Sequence, residues 1–207
     1  MIGVDEAGRG PVIGPLVVAA LAIPSEDIEI LSELNVKDSK DLSPNERLGI
    51  FTAINQRIED GKWKSGLILC SPKRIDINSL TSDLNSLEID LFSEAILATD
   101  LYLDSGVIRA DACDVNENRF RIRLQSSLGE KWKAWRIIAE HGMDSKDLVT
   151  GGASILAKVS RDSAIEEIAT RTGIEIGSGY PSDKTTRSAV EKMLSNAKPH
   201  DSLRWSW

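Results

Sequence analysis

The sequence predicts an α/β fold in which five strands are interleaved with helices and the chain ends in a small helical part. Two observations predict it. Short apolar runs near residues 1–4, 16–23, 67–70, 106–111 and 135–139 are each bounded by turn or breaker residues, as buried strands are. Between the later runs stand stretches of helical spacing that open on cap residues, so strand and helix alternate along the chain. A length of 207 residues suits one domain, 1–207, in which residues from about 173 on form a small C-terminal helical part.

Taken in order, Met1-Ile2-Gly3-Val4 starts a strand. Gly14-Pro15 turns the chain into the continuous apolar run from Leu16 to Ile23, a buried strand paired with the first as a hairpin. Ser43, Pro44 and Glu46 form a helix start of cap, first-turn proline and capping-box acid. That helix runs to about residue 59 with Leu48, Phe51 and Ile54 on one face. A third strand within 63–71 is stopped by Pro72, and Asp83 caps a structural helix from 84 to about 102 that carries Leu87, Leu91, Ala95 and Ala98. The fourth strand spans 106–114 and ends in carboxylates; Asp111 and Asp114, three apart, point to opposite faces of a regular strand. Asp114 then caps a helix near Asn116, whose Arg119, Arg121 and Arg123 form a solvated basic face. Residues 132–141 make the fifth strand, with His141 as a polar strand end beside a potential proton-transfer position. A further helix carries Ser154, Lys158 and Arg161 on one broad stripe. Gly177 to Asp183 is a turn holding one aromatic, Tyr180, and Ser182 caps a last helix from 184 to about 196.

Composition excludes several classes. A formal net charge of −7 argues against a nonspecific nucleic-acid coat, though not against a nucleic-acid enzyme with a local basic surface. The longest apolar run, 12–23, contains Gly14 and Pro15 and falls short of the roughly 18 residues of a membrane span. No basic-then-apolar leader opens the chain, so a soluble, cytoplasmic protein with no membrane contact is expected. Cys70 and Cys113 lie in strand-like stretches without metal-ligand spacing and read as buried, reduced thiols. His141 and His200 are the only histidines, which leaves a zinc site few ligands.

The chemistry concentrates in Asp5-Glu6-Ala7-Gly8-Arg9-Gly10. Neighbours on a strand face opposite ways, so Asp5 and Glu6 reach one cation only at a sheet edge or a strand end. Carboxylate oxygens suit hard divalent cations such as Mg²⁺. Glycine permits close approach, and amides flanking an arginine suit a phosphate or sugar backbone. By itself the hexapeptide reads as an acidic strand end followed by a glycine turn.

It also matches the Asp-Glu-Ala-Gly-Arg-Gly signature of ribonuclease HII, and the resemblance continues through the chain. Asp38-Ser39-Lys40 with Leu42-Ser43 resembles the family's second motif; the run from Ala153 to Asp162 resembles its Ala-Ser-Ile-x-Ala-Lys-Val-x-Arg-Asp helix. Gly179-Tyr180-Pro181-Ser182-Asp183 resembles the block that carries its junction-reading tyrosine, and Arg204-Trp205-Ser206-Trp207 resembles the ending of archaeal members. Met143 and Gly151-Gly152 depart from the family pattern near the fourth carboxylate.

The resemblance implies a ribonuclease-H-like mixed sheet of order 3-2-1-4-5. It implies that Asp5, Glu6, Asp111 and Asp144 are the catalytic metal ligands, with Asp147 as the alternative to Asp144. Two Mg²⁺ or Mn²⁺ ions would serve catalysis. Gly8, Arg9, Gly10, Lys37, Ser39, Lys40, Ser154, Lys158 and Tyr180 become candidate substrate contacts; a solvated loop is the ordinary reading of Lys37 and Lys40. The implied activity is hydrolysis of the RNA strand of RNA/DNA hybrids and cutting 5′ to ribonucleotides embedded in duplex DNA, leaving 3′-hydroxyl and 5′-phosphate ends, as in ribonucleotide repair and replication. A monomer is expected, with a replication sliding-clamp contact that the sequence does not decide. Two other classes fit some of the features: an inactive binding module of the same fold, which would be expected to lack one of the four acids, and a small-molecule metallophosphatase, which would not need Arg9, Lys37, Lys40 and Tyr180 spread over loops.

Overall fold

The structure is a computed structural model that describes residues 1–37, 39–102, 104–195 and 200–207. β1 (Ile2–Ala7) and β2 (Leu16–Ala22) form an antiparallel hairpin, in register from Ile2 opposite Ala22 to Ala7 opposite Val17. β3 (Lys64–Cys70) pairs antiparallel with β2. On the other side β4 (Gly106–Asp111) runs parallel to β1, and β5 (Trp135–Glu140) parallel to β4. The resulting order, β3-β2-β1-β4-β5, is the one the resemblance implies.

The helices are α1 (Ile28–Glu33), α2 (Pro44–Glu59), α3 (Pro72–Ser79), α4 (Leu84–Leu97), α5 (Glu117–Leu128), α6 (Met143–Lys146), α7 (Leu148–Thr172) and α8 (Lys184–Leu194). Their starts follow local chemistry. Ser43 and Glu46 form a reciprocal capping box on α2, the Ser43 amide donating to Glu46 Oε2 at 2.7 Å. Asp83 accepts from the Ser86 amide at the start of α4, and Asp147 from the Thr150 amide at the start of α7.

Both faces of the sheet are covered. Successive residues of β2 alternate sides: Leu16, Val18 and Ala20 pack with Leu91, Phe92, Phe120 and Leu124 of α4 and α5. Val17, Ala19 and Leu21 pack with α1, α2 and the Ala153–Ala157 stretch of α7 through Leu31, Ile54, Ile155 and Ala157. A third apolar cluster joins Ile13 to the end of α7 (Ile165, Ile168), to α8 (Ala189, Met193) and to Leu203, and Ile13 bridges Leu203.

α7 lies so close to β1 that a Cβ on Gly3 would overlap the backbone of Val149 and Thr150. Gly152 meets β2 in the same way, its Cβ position 2.7 Å from Leu21 Cδ2. This explains Gly151-Gly152: the two residues stand inside α7, which begins at Leu148 rather than at Ala153. The close approach sets the long helix across the strand that carries Asp5 and Glu6.

Several local expectations change. Pro72 ends β3 but also starts α3, because Ser71 accepts from the Arg74 amide as a cap. α4 stops at Leu97, where the Thr99 hydroxyl takes the Ile96 carbonyl and Asp100 adopts positive φ. The fourth strand ends at Asp111, and the fifth begins at Trp135 because residues 130–132 form a 3₁₀ turn. Of the expected α2 stripe, Ile54 is buried and Phe51 packs against the core, but Leu48 is exposed and Ile50 is buried instead. Asp183, not Ser182, caps α8 by accepting from the Thr185 amide, and the expected helix end near residue 196 lies outside the described residues.

The glycines yield a paired expectation. Gly3→Ala should destabilise the protein by about 3 kcal/mol, the upper range for overpacking, because the obstacle is backbone. Gly49→Ala, exposed on α2 with nothing within 4 Å, should stabilise by about 1 kcal/mol through helix propensity. Chemical denaturation of both variants checks this; an unaffected Gly3→Ala would contradict the close helix–strand contact.

Candidate active site

β1 stays paired with β2 through Ala7, but with β4 only through Val4 opposite Ala110. Beyond that point the two parallel strands part, and a gap opens at their carboxyl ends, where open α/β sheets bind ligands. Asp5 and Glu6 border the gap from β1 and Asp111 from β4. β1 is the central strand, so the strand-end alternative, not the sheet edge, lets the two adjacent acids converge. One carboxylate oxygen from each of Asp5, Glu6 and Asp111 lies within 4.8 Å of the others. Asp5 Oδ1 accepts from the Glu6 amide at 2.7 Å, and Asp111 Oδ1 from the Met143 amide at 2.9 Å. The latter bond ties β4 to α6, which brings Asp144 to the same cleft.

Electrostatics mark this cluster. Burial, then the Asp111 charge, push the Asp5 carboxyl up to about 7; Asp144 adds to the push and a Ser154 hydrogen bond opposes it. Burial, followed by Asp5, Glu88 and Asp111, drives Glu6 well above the usual carboxylate range. Glu6 Oε2 is buried without a partner among the described residues. A cation beside acids crowded in this way favours their charged forms. An all-oxygen donor set fits hard divalent ions such as Mg²⁺ and Mn²⁺.

Asp147, the alternative fourth acid, faces elsewhere. It caps α7 and pairs with Arg109 of β4. Asp114 also leaves the cluster: it accepts from the Asn116 amide and pairs with Arg119, which holds its carboxyl down at about 2. Asn116 is the cap of α5, taking the position expected for Asp114. His141 sits beside Asp114 and Glu117, its Nε2 2.8 Å from the Asp114 carbonyl, and does not line the cleft. The geometry thus gives His141 no proton-transfer position. Arg119 and Arg123 bond Asp114 and Ser86, so that basic face is partly tied down.

The cleft has a volume of about 320 Å³ and is walled by Gly8, Arg9, Ser39, Ser154, Lys158 and Tyr180 in addition to the acids. Gly8 has φ +90°, a conformation that disfavours other residues. Gly10 faces the Tyr180 ring, 3.5 Å from where its Cβ would stand. The Arg9 guanidinium turns inward: Nε donates to Glu88 at 2.7 Å and Nη2 to Asn85 at 2.8 Å. Ser39 and Ser154 are buried together, their hydroxyls 3.1 Å apart. Lys158 Nζ lies 2.8 Å from Asp162. Lys37 is exposed and outside the cleft wall. The Asp38 residue and the Lys40 side chain lie outside the described part.

Three arginines had no functional assignment in the sequence. Arg47 lines the cleft and holds the Ser39 carbonyl at 2.7 Å. Arg161 is buried, donates to the Ser178 carbonyl, and carries Tyr180 over its guanidinium at 5.4 Å. Its spacing, seven residues after Ser154, and its place in the Ala153–Asp162 run are the available signals. Arg204 is buried under the Gly8-Arg9 turn, and no periodicity points to it.

A family model described as Ribonuclease HII matches residues 2–207. Ribonuclease HII of Pyrococcus furiosus is 44% identical over 201 residues, covering 97% of this chain and 83% of the relative. Among solved structures, ribonuclease H2 from Pyrococcus horikoshii OT3 superposes with a TM-score of 0.85 at 36% identity, covering 100% of this chain and 92% of that one. The ribonuclease HII of a PCNA:RNase HII complex from Archaeoglobus fulgidus gives 0.84 at 32% identity, covering 100% and 94%. With the sheet order and the acid cluster in place, these matches make the chain a member of the ribonuclease HII family, a metal-dependent endoribonuclease that cleaves the RNA of RNA/DNA hybrids and ribonucleotides in DNA.

Proposed function

We propose that Asp5, Glu6, Asp111 and Asp144 hold two divalent cations, Mg²⁺ or Mn²⁺, and that the protein cuts on the 5′ side of a ribonucleotide, leaving 3′-hydroxyl and 5′-phosphate ends. The observation that carries this reading is the convergence of three carboxylates within 4.8 Å at the parted ends of β1 and β4, with Asp144 on the same cleft. When bound, the cations activate water and stabilise the leaving oxygen. The acids act as ligands, so no side-chain nucleophile is needed. Gly8 and Gly10 let the backbone approach a sugar, whose 2′-hydroxyl distinguishes RNA from DNA. Tyr180, 39% exposed and backed by Arg161, offers a ring face to the neighbouring sugar or base. Lys158, 33% exposed at its side chain, offers charge to a phosphate. Arg9, pinned by Glu88 and Asn85, serves by holding its loop and facing the cleft.

The same reading extends to surroundings. Residues from about 173 act as a substrate-binding appendage, a role supported by Tyr180 on the wall of the acid cleft. No described helix is long and apolar enough to cross a membrane, and a cytoplasmic site near replicating or repaired nucleic acid follows from the substrate. A sliding-clamp contact is included because a similar structure is a complex with PCNA.

Asp5→Asn, Glu6→Gln, Asp111→Asn and Asp144→Asn should each lower turnover on a duplex with one ribonucleotide by more than roughly 100-fold, the upper cost of losing a supporting group around a metal. Asp147→Asn should lower the melting temperature instead, with turnover largely kept; the reverse pattern between 144 and 147 would reassign the fourth ligand.

A pH series tests the cluster independently. A carboxyl raised in the folded state contributes stability that is complete below its unfolded value, about 3.9, and is lost as pH rises through its folded value. For Asp5 that upper limit is about 7. The metal-free melting temperature should therefore fall between pH 5 and pH 8, Mg²⁺ or Mn²⁺ should restore it at pH 8 far more than at pH 5, and Asp5→Asn should flatten the curve. Equal metal effects at both pH values would speak against the site.

Tyr180→Ala should lower turnover on the single-ribonucleotide duplex by roughly tenfold, about 1.4 kcal/mol and within the range for base–aromatic stacking, with little change in melting temperature. Full activity in the folded variant would remove the tyrosine from substrate reading.

A further inference from the structure

The chain end reaches back to the glycine turn. Leu203 bridges Ile13, the Arg204 amide donates to the Val12 carbonyl at 2.9 Å, and the Gly14 amide donates to the Ser202 carbonyl at 2.8 Å. This short pairing delivers the Arg204 side chain beneath residues 8–14. Its guanidinium then takes three carbonyls: Nη2 donates to Gly8 at 2.7 Å, Nη1 to Arg9 at 3.0 Å and Nε to Gly14 at 3.0 Å. Arg204 is only 3% exposed, and the Trp207 ring stands 5.8 Å from its Cζ. The ion remains protonated at neutral pH even though burial lowers it to about 10.

In a trans peptide the C=O and the following N–H point in opposite directions across one plane. No cis peptide occurs among the described residues. The Gly8 carbonyl shares its plane with the Arg9 N–H, and the Arg9 carbonyl shares its plane with the Gly10 N–H. Drawing both carbonyls toward one buried guanidinium therefore turns both N–H groups away from it. Among the described residues neither N–H has a protein acceptor. The turn also lines the acid cleft, and Gly10 faces Tyr180. We propose that Arg204 is a positioning residue that aims the Arg9 and Gly10 amides at the substrate sugar-phosphate, so that recognition of the ribonucleotide depends on the segment around Arg204.

Arg204 does not line the cleft, and its guanidinium bonds go to backbone carbonyls rather than to the acids. Its planar fork suits a fan of carbonyl acceptors, and the single ammonium of lysine cannot reproduce it. This inference rests on the proposed sugar-reading role of the glycine turn, so the test has two arms. In the first, amide spectra of the ¹⁵N-labelled full chain are compared for wild type and Arg204→Lys without substrate. The Arg9 and Gly10 signals should move while those of the α4 interior stay. Unmoved signals overturn the proposal whatever the substrate preference. In the second arm, binding of all-DNA duplex and of the same duplex with one ribonucleotide is measured by fluorescence anisotropy without metal, beside turnover with Mg²⁺.

For Arg204→Lys, wild-type preference for the ribonucleotide duplex should disappear while all-DNA binding stays within about twofold. Turnover should fall roughly 100-fold, the scale of a misplaced contact near reacting groups. A variant that melts lower but keeps the preference shows a structural role only and overturns the proposal. If Arg204→Lys does not fold, Arg204→Gln is taken through the same measurements. A wild-type protein with no preference would overturn the sugar-reading role of the turn and, with it, the consequence drawn for Arg204; the amide spectra alone would still decide whether Arg204 sets the orientation.

Discussion

Mutual repulsion among buried carboxylates is the constraint around which the protein is arranged. Asp5 and Asp144 are almost wholly buried, and Asp5, Glu6 and Asp111 offer oxygens within 4.8 Å of one another. Such a cluster is destabilising in isolation, since each charge loses water and faces like charges. It is held by structure that has little choice of position. β1 is central and paired along one side through Ala7, while α7 presses against Gly3 on one face of that strand. Apolar packing on both faces of the sheet thereby fixes where the acids stand, and cation binding becomes the means of relieving them.

The same rigidity extends to the glycine turn, where the proposed substrate contacts lie. Gly8, Arg9 and Gly10 follow directly from the acid-bearing strand, and the turn is tied from two directions. Glu88 and Asn85 of α4 hold the Arg9 side chain, and Arg204 holds the backbone carbonyls. Arg161 of α7 links the opposite wall by bonding Ser178 and lying against Tyr180. Three distant parts of the chain thus meet at one cleft, a preorganisation that spares the bound state from ordering loops.

Much of this was legible in the sequence, for identifiable reasons. Strand β2 announces itself through an uninterrupted apolar run, β1 through the apolar start Met1–Val4, and α2 through Ser43, Pro44 and Glu46, all local signals. The strand-parting that lets Asp5 and Glu6 converge is a tertiary fact; alternation within a strand opposes it, and resemblance supplied the grouping with Asp111 and Asp144. Local patterns failed where packing decided. Leu48 occupies a helical stripe but faces outward because α2 is rotated toward Ile50 and Ile54. Pro72, a strand breaker, is also a first-turn helix residue once Ser71 supplies the cap. Arg161 has only a helical spacing and a motif position, and Arg204 only a motif position; neither signals burial, because an arginine inside a protein is defined by the carbonyls and rings that surround it. Gly151 and Gly152 looked like departures from a pattern, yet they are what allows α7 to approach β2 and α6.

The most direct measurement is end mapping on a DNA duplex containing one ribonucleotide, with Mg²⁺ present and then removed. The account predicts a single metal-dependent cut on the 5′ side of the ribonucleotide, yielding a 3′-hydroxyl and a 5′-phosphate, and no comparable release of phosphate from mononucleotides. A cut on the 3′ side, or cleavage that persists after chelation, would contradict it.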